Sequence, residues 1–510
     1  MRLKFTNLQY PWLVRKHFVS YKTFFWERYF LLLFVSICLL GCRKTSNESG
    51  SQTDKKAIVQ EAVDYDLSEI SKRGKIIAIV DNNTTSYFLY KGKAMGYEYE
   101  LLKMLADELN LELELNITTD IDDTFSKLNE GEGDIIAFNL AVTKERAKRV
   151  NFTTHHSTSR QVLIQRKPIG WREMKKHQIE QALIRDPIEL IGKEVYVRKS
   201  SSYAHRLQNL SEEIGGDIII VEEFGNMKTE ELVRKVSDGE IDYTVADEDV
   251  AMVNASYHPN IDVKTAISFP QRIAWAVRRN SPELLNAINQ WIADVKRKPD
   301  YNVIYNRYFK SNKAHVARVK SEFSSIGGNH ISIYDSLIRE GATKIGWDWK
   351  LLAAQIYQES RFDPKAKSWA GAIGLMQLIP ETGSIYGAID LESPQENIDA
   401  GTNYLEWLSK LWLSRVKDKQ ERIKFILASF NVGQGHVMDA QRLAEKYGSD
   451  PERWDDNVEK YLLLKSDPKY FSDPVVGSGY CRGLEPVKYV REILHRYTQY
   501  NQLFAVKEAL

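Results

Sequence analysis

"DWKLLAAQIYQESRFDPKAKSWAGAIGLMQLIP", residues 348–380, puts an acid at the end of an apolar helical run. Leu352, Ile356 and Glu359 sit at i, i+4 and i+7, so one stripe of the predicted helix carries two apolar residues and then a carboxyl group. Asp348 before the run and Asp363-Pro364 after it bracket the helix. Glu359 therefore falls in the last turn, partly against the core and near the negative end of the helix dipole. Desolvation and the dipole both disfavour the ionised form, which predicts a raised pKa. A carboxylic acid held protonated near neutral pH is suited to donate a proton to a glycosidic oxygen. The alternative for these residues alone is a glutamate on a surface turn. Glycosidases commonly use two carboxyl groups, and the nearby acids Asp363 and Asp399 both read as helix-boundary residues.

Outward from this stretch, residues 329–510 show almost no strand pattern. Helical runs such as "ISIYDSLIREGATKIG", "NIDAGTNYLEWLSKLW", "ERIKFILASF" and "EPVKYVREILHRYTQYNQLF" dominate, so this region is predicted to be a mainly α domain. The preceding "SNKAHVARVKSEFSSIGGNH" ends in serines and glycines, and 313–328 reads as a linker. From 67 to 312 strands and helices alternate. "KIIAIV" (75–80), "LELELNI" (111–117) and "DIIAF" (134–138) are predicted strands, with "YEYELLKMLADELN" and "IDDTFSKLNEG" helical between them. A second set follows in "KEVYVRKS", "DIIIVEE", "LVRKVSDGE" and "IDYTVADED". This rhythm predicts two α/β lobes joined by crossover strands, a clamshell.

The N-terminus differs. Basic residues Arg2, Lys4, Arg15 and Lys16 lead into the apolar run Tyr29–Leu40, too short for a membrane span and of the length of a secretory signal. Residues 43–66 are polar and read as a flexible tether. Over 510 residues the formal net charge is +1, with 43% hydrophobic and 27% charged residues. That balance fits a globular protein and excludes nucleic acid as the main partner, because no basic excess exists to neutralise phosphates. His155 and His156 are adjacent and the other histidines lack ligand spacing, so neither a metal nor another cofactor is expected. "NVGQG" (431–435) lacks the preceding strand and following Lys-Ser/Thr of a phosphate loop.

"ESRFDPKAKSWAGAIGLMQLIP" closely resembles the signature of the soluble lytic transglycosylases, a lysozyme-like family that cleaves peptidoglycan. "NIDAGTNYLEWL" (397–408), "ASFNVGQGHV" (428–437) and "GYCRGLEPVKYVREIL" (479–494) resemble its later motifs, in the same order over about 180 residues. The resemblance implies that Glu359 is the sole catalytic acid/base and that Ser360 bonds near the substrate N-acetyl group or steadies the glutamate. It implies that Gly374, Met376 and Gln377 line the cleft wall, and that Asn431 and Tyr489 position the muramyl residue. Phe430 stands where the family has tyrosine, so any hydroxyl bond there is lost. In such enzymes the acid protonates the oxygen between N-acetylmuramic acid and N-acetylglucosamine, and the muramyl C6 hydroxyl then closes onto C1. A 1,6-anhydro end forms without water, and proximity replaces the second carboxylate. A lysozyme-like muramidase and a non-catalytic solute- or peptidoglycan-binding lipoprotein are the alternatives.

"RGKIIAIVDNNTTSYFLYKGKAMGYEYELLKMLADEL" (73–109) and "AVTKERAKRVNFTT" (141–154) resemble the family 3 extracellular solute-binding proteins. The resemblance places Arg146 on a ligand α-carboxylate, Asp247 on its ammonium group and Ser201, within Ser200–Ser202, among the second-lobe donors. Ala141 departs from a position where a hydroxyl is common. Leu39-Leu40-Gly41-Cys42 resembles the bacterial lipoprotein signal, which implies removal of 1–41 and lipidation of Cys42; an uncleaved anchor helix is the alternative. Cys38 would then be lost, leaving Cys481 without a disulfide partner. Arg43 is not the aspartate tied to inner-membrane retention in some bacteria, which points to the periplasmic face of the outer membrane. Together these features resemble the membrane-bound lytic murein transglycosylase F family. They imply peptidoglycan strands as substrate, a membrane reached through a lipid anchor, and an amino acid or muropeptide as ligand of the 67–312 region.

Overall fold

A computed structural model describes residues 62–118, 120–223, 227–310, 312–326, 328 and 330–508. The signal run, Cys42 and most of the tether lie outside the described residues. In the first lobe, the strands Glu112–Thr118, Lys75–Asp81, Ile135–Ile136, Ala276–Val277 and Asn151–Phe152 form one sheet in that spatial order. The first three run parallel, with Ala78 opposite both Leu115 and Ile135. Within Lys75–Asp81, residues 76–80 form an unbroken apolar run because helices and loops cover both its faces. The second lobe repeats the plan with Ile219–Glu223, Glu194–Arg198, Tyr243–Asp247, Gln161–Arg166 and Ile261–Ala266. Where the chain crosses between lobes, Ser157–Ser159 and Gln271–Ile273 pair antiparallel. The first crossing strand delivers the chain to the second lobe and the other returns it.

The helical half is built on Trp349–Ser360. Asp348 caps its start by accepting from the Lys350 amide at 2.9 Å. Trp349 to Ile356 are all buried, so this helix is enclosed on nearly every side rather than along the single stripe that Leu352, Ile356 and Glu359 suggest. It ends because Arg361 and Phe362 take left-handed conformations, φ 55° and 64°, and Pro364 cannot continue the coil. The long C-terminal helix Leu484–Glu508 packs along it, and Pro394–Leu413, Lys419–Val432 and Gln434–Lys446 complete the core around them.

The 313–328 stretch is more ordered than a bare linker. It begins in the helix Asn312–Val319 and then runs beside the hairpin Phe88–Tyr90/Lys93–Met95. Lys91 donates to the Phe323 carbonyl at 2.9 Å, and Ser325 meets Leu89 through both its amide and its hydroxyl, each at 2.9 Å. The hairpin tip is Gly92, at φ 72°. A Cβ there would lie 2.8 Å from each of Phe362, Tyr357 and Tyr500, and the Tyr500 hydroxyl donates to the Gly92 carbonyl at 3.2 Å. Glycine is required on both counts, the positive φ and the contact with three rings. Gly92→Ala is expected to cost about 2–3 kcal/mol through strain and overpacking, seen as a lowered midpoint of thermal unfolding.

Candidate active site

Glu359 stands in the last turn of its helix, where the apolar run gives out and the side chain is only partly buried. Its Oε1 accepts a hydrogen bond from the hydroxyl of Tyr489, 130 residues further on in the C-terminal helix. The Tyr489 oxygen in turn accepts from Gln355 Nε2 at 3.3 Å. The two helices are joined again where Gln358 Nε2 donates to Glu492 at 2.6 Å and the Arg496 guanidinium lies 4.0 Å over the Tyr357 ring. Burial of its carboxyl pushes the Glu359 pKa up to about 8, and the Tyr489 hydrogen bond, which favours the ionised form, holds it back from rising further. No other acid contributes to that shift. Asp363 is exposed and caps the Lys365 amide, and Asp399 accepts from Gln395 on its own helix. Both are helix- and turn-boundary groups, and among the described residues neither hydrogen-bonds Glu359.

The turn after the helix is arranged differently from its sequence reading. Ser360 is buried and donates to the Leu375 carbonyl at 2.8 Å and back to Ile356 at 3.2 Å, so it ties the helix end to the Gly-Leu-Met-Gln turn. Gly374 is at φ 85°, and a Cβ there would collide at 2.2 Å with Asn397 Nδ2 and with the Leu391 carbonyl. Its freedom thus admits a neighbouring chain segment on the side where a Cβ would stand. Met376 is fully buried with its sulfur against Gly401, so it fills the core beneath the turn and does not line an open wall. The sequence pattern could not distinguish these cases, because the partners lie 17 to 25 residues away. Gln377, at φ 48°, folds its amide onto the carbonyls of Gly374 and Ala366, at 2.9 and 3.0 Å. Asn431 is exposed at the end of Lys419–Val432, and the adjacent Phe430 ring packs on Tyr404 with centroids 5.3 Å apart.

Asn397 is the organising residue that sequence reading left without a role. Fully buried, it accepts from the Met376 amide at 2.7 Å and donates to the carbonyls of Ile373 and Leu391, at 3.0 and 2.9 Å. An asparagine where a helix should bury an apolar residue was the available signal. Gln355, a buried amide among Leu, Ala and Ile, was another.

The family model for the transglycosylase SLT domain matches residues 336–452, and that for bacterial extracellular solute-binding proteins, family 3, matches 75–311. A membrane-bound lytic murein transglycosylase F of Desulfosudis oleivorans is 36% identical over 86% of this chain and 93% of its own length. The chain belongs to that family. A second membrane-bound lytic murein transglycosylase F, from Saccharophagus degradans, is 30% identical over 86% of this chain and 85% of its own. A solved ancestral amino acid-binding protein is 25% identical over 48% of this chain and 99% of its own, with a TM-score of 0.39.

The other group of candidate residues meets in the cleft between the two α/β lobes. Asp247 Oδ2 accepts from Asn139 at 2.8 Å and from the Tyr203 hydroxyl at 3.1 Å, and burial pushes its pKa up to about 7. Arg146 donates to the carbonyls of Ala141, at 3.1 Å, and Ser200, at 3.4 Å. Among the described residues Ser201 Oγ, Asp247 Oδ1 and Asp81 Oδ1 are buried without a protein partner, and these residues border one cavity of about 60 Å³. The lobes are drawn together over it by Arg198–Asp81 at 2.7 Å, by Thr84 on Glu230 at 3.2 Å and by Ser200 on Asp122. Asp81, Arg198, Asn139 and Tyr203 escaped sequence reading, since each belongs to the cleft only through a partner on another element.

The raised pKa of Glu359 has a consequence for stability. Its folded value lies above that of a carboxyl in the unfolded chain, so its destabilising effect is absent below the unfolded pKa, near 4.5, and grows until pH passes about 8. Glu359→Gln is therefore expected to raise the unfolding midpoint by about 2–4 °C at pH 8, with the gain shrinking to nothing near pH 4. Thermal unfolding across that range measures it.

Proposed function

We propose that this chain is a peptidoglycan lytic transglycosylase in which Glu359 alone acts as acid and then as base. The observation that carries the reading is a partly buried, desolvated carboxyl with a tyrosine donor on one oxygen and, among the described residues, no second carboxylate bonded to it. Near neutral pH Glu359 holds its proton and is poised to give it to the oxygen between N-acetylmuramic acid and N-acetylglucosamine. The substrate acetamido group stabilises the cation that develops at C1. Tyr489 then supports the new carboxylate through the bond it already makes. With a pKa near 8, that carboxylate is basic enough to take the proton of the muramyl C6 hydroxyl as it attacks C1. The product is a 1,6-anhydromuramyl end. Both roles fall to one group because nucleophile and electrophile share a sugar ring. Asn431, exposed near the helix breaks, and Gln377 are the candidates for contact with the glycan.

Mass spectrometry of digested peptidoglycan tests this. Anhydromuramyl ends are expected, with Glu359→Gln slowing their release by about 10²–10⁴-fold and an alkaline limb of kcat/KM falling through about pH 8 as the acid loses its proton. Reducing ends would favour a muramidase.

The 67–312 region supports a binding role for an amino acid or muropeptide, with Arg146 on a carboxylate and Asp247 and Ser201 supplying unpartnered oxygens. A cavity of about 60 Å³ holds a few waters, so such a ligand enters only when the lobes part. Its capture modulates cutting if open and closed states contact the helical half differently. Arg146→Ala is expected to abolish muropeptide binding in calorimetry. Equal cutting rates with and without muropeptides, over a wide concentration range, would overturn the modulation. The chain works in the cell envelope, held by lipid on Cys42 at the outer membrane's periplasmic face. Among the described residues no helix is long and apolar enough to cross a membrane.

A further inference from the structure

The acid/base depends on a hydroxyl whose own orientation has to be set. A tyrosine hydroxyl has one proton and two lone pairs, and it turns freely unless its neighbours choose for it. Tyr489 lies between two groups on one face of the helix Trp349–Ser360, Gln355 and Glu359, spaced i and i+4. Gln355 is fully buried and turns its amide nitrogen toward the tyrosine oxygen at 3.3 Å. An NH2 group can only donate, so the hydroxyl proton is directed to the other side, onto Glu359 Oε1. If the hydroxyl were free to turn, it would instead accept from a protonated Glu359 and hold the catalytic proton on the wrong oxygen.

We propose that Gln355 is a positioning residue for the reaction: its amide locks Tyr489 as a donor to Oε1 of Glu359 and leaves Oε2 to carry the proton to the glycosidic bond. This rests on the reading of Glu359 as acid/base. A second observation separates the role from packing. Among the described residues Gln355 Oε1 is buried with no partner, a standing cost that a leucine of similar size, between Ala354 and Ile356 in this buried helix, would avoid. A buried amide that satisfies only its donor side is a poor choice for stability, and it marks a place where function overrides packing.

The lever on Glu359 is a hydrogen bond and not a charge. Glu492 on the facing helix is occupied by Gln358 and lies 3.5 Å from Lys488, and Arg496 sits on the Tyr357 ring. Arg361 and Asp363 follow in the exposed turn. None of these contributes to the Glu359 shift, which has burial and Tyr489 as its only causes.

The test compares Gln355→Leu, Tyr489→Phe and the double variant in the full chain, with Glu359→Gln to identify the Glu359 signal. The protonated-carboxyl infrared band is titrated against pH, beside kcat, KM and thermal unfolding. Gln355→Leu is expected to keep or raise the unfolding midpoint and to lift the Glu359 pKa by about half to one unit. It should lower kcat at pH 7 by about three- to tenfold with little change in KM. Tyr489→Phe should lift the pKa at least as far, and adding Gln355→Leu to it should change nothing more. A wild-type titration for Gln355→Leu overturns the proposal. So does an equal shift when Tyr489 is absent, which would assign the effect to local desolvation. The infrared titration needs no substrate, so absence of turnover in the wild type would count against the acid/base reading and leave the relay result standing.

Discussion

The hydrogen bond from Tyr489 to Glu359 joins the two helices on which the helical half depends. One helix is enclosed, short and ends in two left-handed residues; the other is long and arrives last in the chain. Without their contact the carboxyl would face solvent on one side only by accident of rotamer, and neither its raised pKa nor its orientation would be defined. The same C-terminal helix reaches on to Tyr500, whose hydroxyl meets the hairpin of the first α/β lobe at Gly92. One element thus sets the environment of the acid and seats the neighbouring lobe, and a change of tilt would be felt at both ends. The glycine allows this closeness, since any side chain there would push Phe362, Tyr357 and Tyr500 apart.

Much of this was legible in the sequence. An acid closing an apolar helical run, followed by Gly-Leu-Met-Gln, located Glu359. The alternation of strands and helices located both lobes, because each strand is buried by a helix close to it in sequence. What escaped was the work done by partners far along the chain. The family resemblance put Met376 and Gly374 on the cleft wall, yet what surrounds Met376, and what a Cβ at Gly374 would meet, are decided by Gly401, Asn397 and Leu391. Tyr489 was picked out, but its bond to Glu359 depends on how two helices cross, which no local pattern encodes. Gln355 stood out as an amide in an apolar run, but its partner, a hydroxyl 134 residues away, could not be read from the sequence. Periodicity predicts which face of an element is buried; it does not predict against what.

The small cavity between the lobes carries a kinetic consequence. Asp81, Arg198, Thr84, Glu230, Ser200 and Asp122 hold the two lobes together across it, so any molecule that is to occupy it has to part those contacts first. Its capture rate is then bounded by how often those polar contacts break together, and not by diffusion. A receptor gated in this way is deaf to brief fluctuations in its surroundings and answers to their time average.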